Sequence, residues 1–386
     1  MCRLCWRVPA RAAEQPIVAA KPRLRARHQV SILSGCRDWR GHLNSTVGLQ
    51  PRRRMIPLKD THTRLLLLLL IVVGCGSVGR SQVVETSKGE VEFIGLEQWT
   101  PAMIQAKLGY SSTDALHYCA AELKKRLGFP DSVVAVYPED GKLYTVITVV
   151  EPQEAGRVQY RPEPSTAIPT PDGWRNLLAI VEQKKFINSV LDYGQSLKGA
   201  ARVERPPVQD SDKAWWHLLQ QRRSEKDYQQ ALRRLTQDGD YRNRVIAAMI
   251  LMNFADHNEA WLALMDCVRD QNPFVNLTCY QGLITLTTYV PRKVDWAKAV
   301  PSIHHILSGT NLFAFKFVLN TLTKTQMSGK LTPLLLRTDG ATLVIAYLNA
   351  HHQDEKEAAR QFLMQLSGRD FGYDSERWKA WINGSR

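Results

Sequence analysis

The chain has 386 residues, with 51 Lys and Arg against 37 Asp and Glu, a formal net charge of +14. The length allows two or three domains, and a hydrophobic share of 44% excludes a disordered or collagenous chain. Seven cysteines exclude a small scaffold built from disulfides.

The charge is unevenly placed. Residues 1–54 hold 12 Lys and Arg against Glu14 and Asp38 alone, which leaves 39 basic and 35 acidic residues for 55–386. The overall basicity therefore gives little support to a nucleic-acid partner, and none is expected.

Residues 65–73 read LLLLLLIVV, behind Lys59 and Arg64 and ahead of Gly74-Cys75-Gly76-Ser77. Nine apolar residues make a helix of about 14 Å, about half a bilayer core. A basic flank, a short apolar core and small residues predict a secretory signal rather than a permanent span. Met55 stands where such a signal begins. Residues 1–54 thus read as a mis-called extension. An organelle transit peptide, Arg-rich and poor in acids, is the alternative.

Residues 55–75 are the expected signal peptide. Its end, Val72-Val73-Gly74-Cys75, resembles a bacterial lipobox. The resemblance implies that Cys75 becomes the N-terminus and carries diacylglycerol, anchoring the protein to a membrane. Ordinary signal cleavage near Gly79 or Ser81 is the alternative. Either route implies an exported protein: a periplasmic or outer-membrane-anchored lipoprotein, or a secreted one. Three cysteines follow. Cys119 falls on an apolar helix face and reads as a small core residue. A Cys267–Cys279 bridge is possible, and spacing leaves it open.

Residues 89–152 predict a small α+β domain. VEFIGL at 91–96 is strand-like. Thr100-Pro101 pairs an N-cap residue with proline at the first helical position. Ser111-Ser112-Thr113-Asp114 offers a second start, and Leu116, Cys119, Ala120, Leu123 and Leu127 recur at helical spacing up to Gly128. Val133–Tyr137 and Leu143–Val150 form a hairpin around Asp140-Gly141. The expected order is βααββ.

That order, Ile94-Gly95, and LKKRLGFPDSVVAVYPEDGKLYTVITVVE at 123–151 resemble the POTRA domain of outer-membrane assembly and secretion proteins. The resemblance implies a domain that binds extended partner segments by adding a strand at its sheet edge. Residues after 170 lack the alternating strands of a barrel.

Residues 153–209 read as a linker and a helix, with prolines at 152, 162, 164, 169 and 171 and a second break over 199–207. Residues 210–386 then read as almost purely helical. Helices are expected at 212–222, 225–237, 241–254, 257–269, 272–288, 293–308, 311–325, 340–351 and 354–366, with ATLVIAY at 341–347 the ambiguous piece.

Internal repetition is visible. Asn272-Pro273-Phe274 with Leu283 recurs as Asn311-Leu312-Phe313 with Leu322. Asp270, Leu277, Tyr280 and Leu283 match Asp238, Val245, Ala248 and Leu251. This helix–turn–helix phrase resembles HEAT-type repeats, which stack because one helix pair cannot bury its apolar face alone. Trp378 and Trp381 near the end read as a cap on the last unit, with a carbohydrate-stacking face as the alternative. The fold class expected is an α+β βααββ domain followed by an all-α HEAT-like array.

Catalytic motifs are absent from the sequence: there is no Walker loop, GxGxxG or GxSxG, and Gly194-Gln195-Ser196-Leu197-Lys198 has lysine where the last needs glycine. His304-His305 and His351-His352 lack the i,i+4 spacing of a helical metal pair. Arg222-Arg223 and Arg233-Arg234 read as a solvated face, and Asp354, Glu355 and Glu357 as acids favoured at a helix start. No catalytic, cofactor or metal residue is expected. The function expected is non-enzymatic protein binding in the bacterial envelope, with protein partners at the sheet edge and on the array. The alternatives are a helical-repeat lyase or glycosylase and a cell-wall glycan binder.

Overall fold

A computed structural model describes residues 81–139, 141–181 and 216–384. Cys75, the signal segment, Asp140 and 194–198 lie outside them. The small domain opens with a hairpin of β1 (Gln82–Thr86) and β2 (Gly89–Ile94). Helix α1 (Pro101–Leu108), a 3-10 turn (Thr113–Tyr118) and α2 (Ala120–Leu127) follow, then β3 (Asp131–Glu139) and β4 (Lys142–Val150). The sheet order is β1-β2-β4-β3, with β2 parallel to β4 and the other pairs antiparallel.

Local chemistry sets these boundaries. Thr100 Oγ1 accepts from Met103 N at 3.2 Å, and Pro101 holds the first turn. Gly95 ends β2 with φ 91°, where a Cβ would stand 2.4 Å from the Val149 carbonyl. The run expected as one helix breaks at Cys119, which ends the 3-10 turn and precedes α2.

Strand β1 corrects the βααββ expectation: the sheet has four strands and begins at Gln82. None of its five residues is buried, so its sequence lacks the apolar alternation that marks a strand.

The sheet is buried on both faces. Val91, Phe93, Ile147 and Val149 meet Ile104, Leu116, Leu123 and Phe129 of the helical layer. Ile94, Tyr137, Val146 and Val150 pack against the array. That two-sided burial explains the unbroken VITVV run in β4. The result is three layers: helices, sheet, array.

The array starts from α3 (Arg175–Val181) and a helical turn at 216–220. Three hairpins follow: α4 (Glu225–Gln237) with α5 (Tyr241–Leu251), α6 (Asn258–Cys267) with α7 (Pro273–Tyr289), and α8 (Val300–Leu307) with α9 (Leu312–Lys324). Then come α10 (Thr332–Leu335), α11 (Thr342–Leu348), α12 (Gln353–Ser367) and α13 (Ser375–Gly384). The second helices stack in one layer, α5 on α7, α7 on α9, α9 on α12, and the first helices stack in another, α4 on α6 and α6 on α8. Helix α5 buries every residue from Asn243 to Leu251, as a middle helix must. The segment ATLVIAY falls mostly within α11, whereas residues 293–299 form only a 3-10 turn, Ala297–Ala299.

Cys267 and Cys279 are disulfide-bonded between α6 and α7, and both are buried. At the C-terminus Trp378 is buried, its indole N–H donates to Gly372 O at 2.9 Å, and its ring meets Phe371 and Trp381 edge-on.

Candidate functional site

The proline-rich segment is a strap along the row of hairpin turns, taken in reverse order. Arg157 Nε donates to Ser308 O (3.0 Å) and Gln159 N to Thr310 Oγ1 (2.8 Å), between α8 and α9. Arg161 N donates to Arg269 O (2.8 Å), between α6 and α7. Gly239 N donates to Thr166 O (2.7 Å) and Ile168 N to Asp238 Oδ1 (3.3 Å), between α4 and α5. The prolines suit such a path, because each removes a donor that a strap without a sheet partner would leave unpaired.

Buried charge fixes the strap. Arg161 meets Asp270 through Nε (3.1 Å) and Nη2 (2.5 Å), and Arg244 Nη2 reaches the other oxygen of the same carboxylate at 3.2 Å. Arg234 pairs with Asp238 at 2.7 Å and donates to the carbonyls of Ile168 and Pro169. Arg222 donates to Gly173 O. Arg234 is only 5% exposed, so its expected place on a solvated face is corrected. The solvated reading failed because Arg234 and Asp238 stand four apart on a face that the strap covers.

Two carboxylates from the sheet cap helices of the array. Glu92, buried in β2, accepts from His351 N (2.6 Å), His352 N (3.0 Å) and Tyr144 OH (2.8 Å). His352 is the N-cap of α12 and gives that helix no side-chain cap of its own. Asp131, at the start of β3, accepts from Leu312 N at 2.9 Å, where the N-cap Asn311 likewise supplies none. Negative charge and free amides meet at both helix starts.

Between these caps lies a closed polar group. Lys316 Nζ donates to Glu355 (2.7 Å) and Tyr137 OH (2.5 Å), and Tyr137 OH donates to Glu355. His352 stacks on Tyr137 with centroids 3.8 Å apart, and its Nε2 meets Glu139 at 3.2 Å. Burial, with Glu355 next, raises the Tyr137 pKa well above the usual phenol range. Tyr137 and Glu355 are buried, so the cluster ties β3 to α9 and α12. Glu355 acts here as an ion-pair partner as well as an acid in a first helical turn.

Strands β1 and β3 are the outer strands, and among the described residues neither pairs with a further strand. Strand β3 borders α9, through Asp131–Leu312 and Tyr137–Lys316. Phe313 and Phe317 of α9 are half-buried beside Tyr280.

His304 Nδ1 meets Leu335 O at 3.0 Å. Burial first, then the positive Arg269, lowers the His305 pKa. Burial pushes the Cys119 thiol up to about 12, which leaves it protonated and unreactive near neutrality. Among the described residues no group of three His, Cys, Asp or Glu is placed to hold a metal. A cavity of about 320 Å³ lies between Asn258, Arg292, Asp295, Trp296, Gln326 and Ser328. Among the described residues no single helix is long and apolar enough to cross a membrane.

Glu92, Asp131, Arg161 and Asp270 were not singled out for these roles from the sequence. Glu92 and Asp131 had a faint signal, a charge inside or beside an apolar run, whereas Arg161 and Asp270 lie among polar residues and had none. Comparison with family models, curated proteins and solved structures finds no match.

Proposed function

We propose that the chain is a non-enzymatic binding scaffold of the bacterial cell envelope. It takes an extended partner segment along the outer edge of β3 and a second part of that partner on the adjoining face of α9. The observation that carries this reading is the outer position of the nine-residue strand β3 along α9, the helix that also carries half-buried Phe313 and Phe317 on its side toward Tyr280. An added strand would satisfy its edge amides and carbonyls, and aromatic side chains nearby supply contact area.

The POTRA-like reading draws support from the succession β2, α1, α2, β3, β4. The HEAT-like reading draws support from the equivalent places of the repeated residues. Asn272 and Asn311 are the N-caps of α7 and α9, and Asp238 and Asp270 lie in successive hairpin turns. Export draws support from the buried Cys267–Cys279 bridge, since stable disulfides belong to oxidising compartments. Lipidation at Cys75 would then anchor the scaffold to the membrane.

The test is site-specific photo-crosslinking in the native envelope. A photoreactive residue at Val136 on β3 is expected to capture a partner, and Val134→Pro is expected to abolish capture while Arg377, far along the chain, gives none. Equal capture from both positions would overturn the edge reading. Expression from Met55 with Cys75→Ser is expected to release the protein from membranes washed at high salt.

A further inference from the structure

The helical layer of the small domain has an outer face that the strand-edge reading does not use. Helix α1 buries Pro101, Ile104 and Leu108, and so turns Met103 and Lys107 outward. Helix α2 buries Ala120 and Leu123 and turns Lys125 outward. Met103 is 41% exposed and Tyr118 57%, both large for apolar or aromatic side chains on one small domain.

Cations stand over the aromatic rings. Lys107 Nζ is 5.6 Å from the Trp99 centroid, and Lys88 Nζ is 5.3 Å from that of Tyr118. The acids on this layer are engaged: Asp114 accepts from the Ser87 amide and hydroxyl, and Glu122 pairs with Arg126. The described chain begins at the margin of the sheet, where Gln82 Nε2 donates to Trp99 O at 3.2 Å on the helical side and Ser81 Oγ to Asn349 O at 3.2 Å on the array side. Only seven residue steps separate Cys75 from Gln82, a reach of about 25 Å at most.

We propose that this face, with Met103, Tyr118, Lys88, Lys107 and Lys125, lies against an anionic lipid surface. The tether length rests on Cys75 as the lipid anchor; the charge and exposure of the face do not. Aromatic and Met side chains suit the headgroup boundary, and lysines extend past them to lipid phosphates. The layer order then sets the orientation. The α1–α2 layer is nearest the bilayer, the sheet stands behind it, and the array projects away with the β3 edge open to partners.

The test uses the chain from Cys75 carrying Cys75→Ser, so that no acyl chain contributes. Its flotation is measured with vesicles of phosphatidylcholine mixed with phosphatidylglycerol and with phosphatidylcholine alone, at low and high salt. We expect binding to the mixed vesicles only, lost at high salt. Each lysine near such a surface contributes roughly fivefold, so Lys107→Glu with Lys125→Glu should weaken binding more than tenfold. Equal binding to both vesicle types, or binding unchanged by the two substitutions, overturns the proposal. If the substitutions abolish a crosslink to an envelope protein but leave vesicle binding intact, an acidic protein is the occupant and the lipid proposal falls. The anchor is read separately, from release of the Met55 chain by Cys75→Ser from membranes washed at high salt, where the lysine face no longer holds. Failure to release, with vesicle binding still sensitive to the lysines, would remove the anchor and leave the face standing.

Discussion

Arg161 in the strap and Asp270 in the α6–α7 turn form a buried ion pair across 109 residues of sequence, at 2.5 Å. Arg244 shares the same carboxylate, so one negative group serves two buried guanidinium groups. The Arg161 Nη2 also donates to Leu235 O at 2.7 Å, which ties the strap to the end of α4. The strap is thereby part of the array, and the sheet domain cannot swing on it as on a flexible linker.

Removing that carboxylate should be costly. Asp270→Ala leaves two buried cations with one fewer partner, and breaking a buried pair from one side typically costs about 3–5 kcal/mol. We expect the urea midpoint to fall accordingly. Arg161→Met, which removes one cation and keeps the other paired, should cost clearly less. An equal loss for both variants would show that the pair is ordinary packing.

The two sheet carboxylates predict a more local effect. Glu92→Gln should loosen the start of α12, and Asp131→Asn the start of α9, each by about 1 kcal/mol as for a lost cap. Amide exchange at His351 and His352 should speed up in the first variant only, and at Leu312 in the second only. Exchange that rises uniformly would argue against capping from the sheet.

Much of the architecture was legible because its signals are local. Thr100-Pro101, the Ser112 start, Gly128 and the 3.6-residue periods of α4, α5, α7, α9 and α12 are written in short windows of sequence. Strand β1 was not legible, since it gains its place by pairing with β2 and buries nothing of its own. The strap was read as a linker for a related reason. Its partners Asp238, Asp270 and Thr310 lie far away in the chain, and proline content alone does not say what the segment touches. The candidate site was least legible: β3 was expected as a strand, but its position at the sheet edge beside α9 is a tertiary fact.

The Cys267–Cys279 bridge closes a short loop, with a sequence separation of 12. A loop of that size contributes about 3 kcal/mol by restricting the unfolded chain. We expect Cys267→Ala with Cys279→Ala to lower stability by about 2–4 kcal/mol. Because both sulfurs are buried, a mild reductant should leave the folded protein's bridge intact and cleave it only as the chain unfolds. Mass spectrometry after alkylation reads both outcomes. Rapid alkylation of the native protein under mild reductant would show that the α6–α7 contact opens readily.

His117 gives the chain a pH dependence whose sign follows from its partners. Its Nε2 stands 2.8 Å from Thr86 Oγ1 and its Nδ1 2.7 Å from Thr145 Oγ1. Thr86 already gives its proton to Gly89 O at 2.7 Å, so it accepts from Nε2–H, and Nδ1 accepts from Thr145. The ring is thus a neutral bridge from the β1–β2 turn to β4. Burial lowers its pKa below the ordinary 6.5; Asp114 pulls the other way and Lys88 adds to the lowering. Below about 6.5 the unfolded chain takes up a proton that the folded ring resists, so the contribution to stability present above 6.5 is lost as pH falls toward the folded value. His117→Gln can keep both bonds, with its amide nitrogen toward Thr86 and its oxygen toward Thr145, but cannot titrate. We expect the wild-type unfolding free energy to drop more steeply than that of the variant as pH falls through this window. The comparison separates His117 from His305, whose pKa is lowered as well and which both proteins retain. Parallel curves for the two proteins would assign the pH dependence elsewhere.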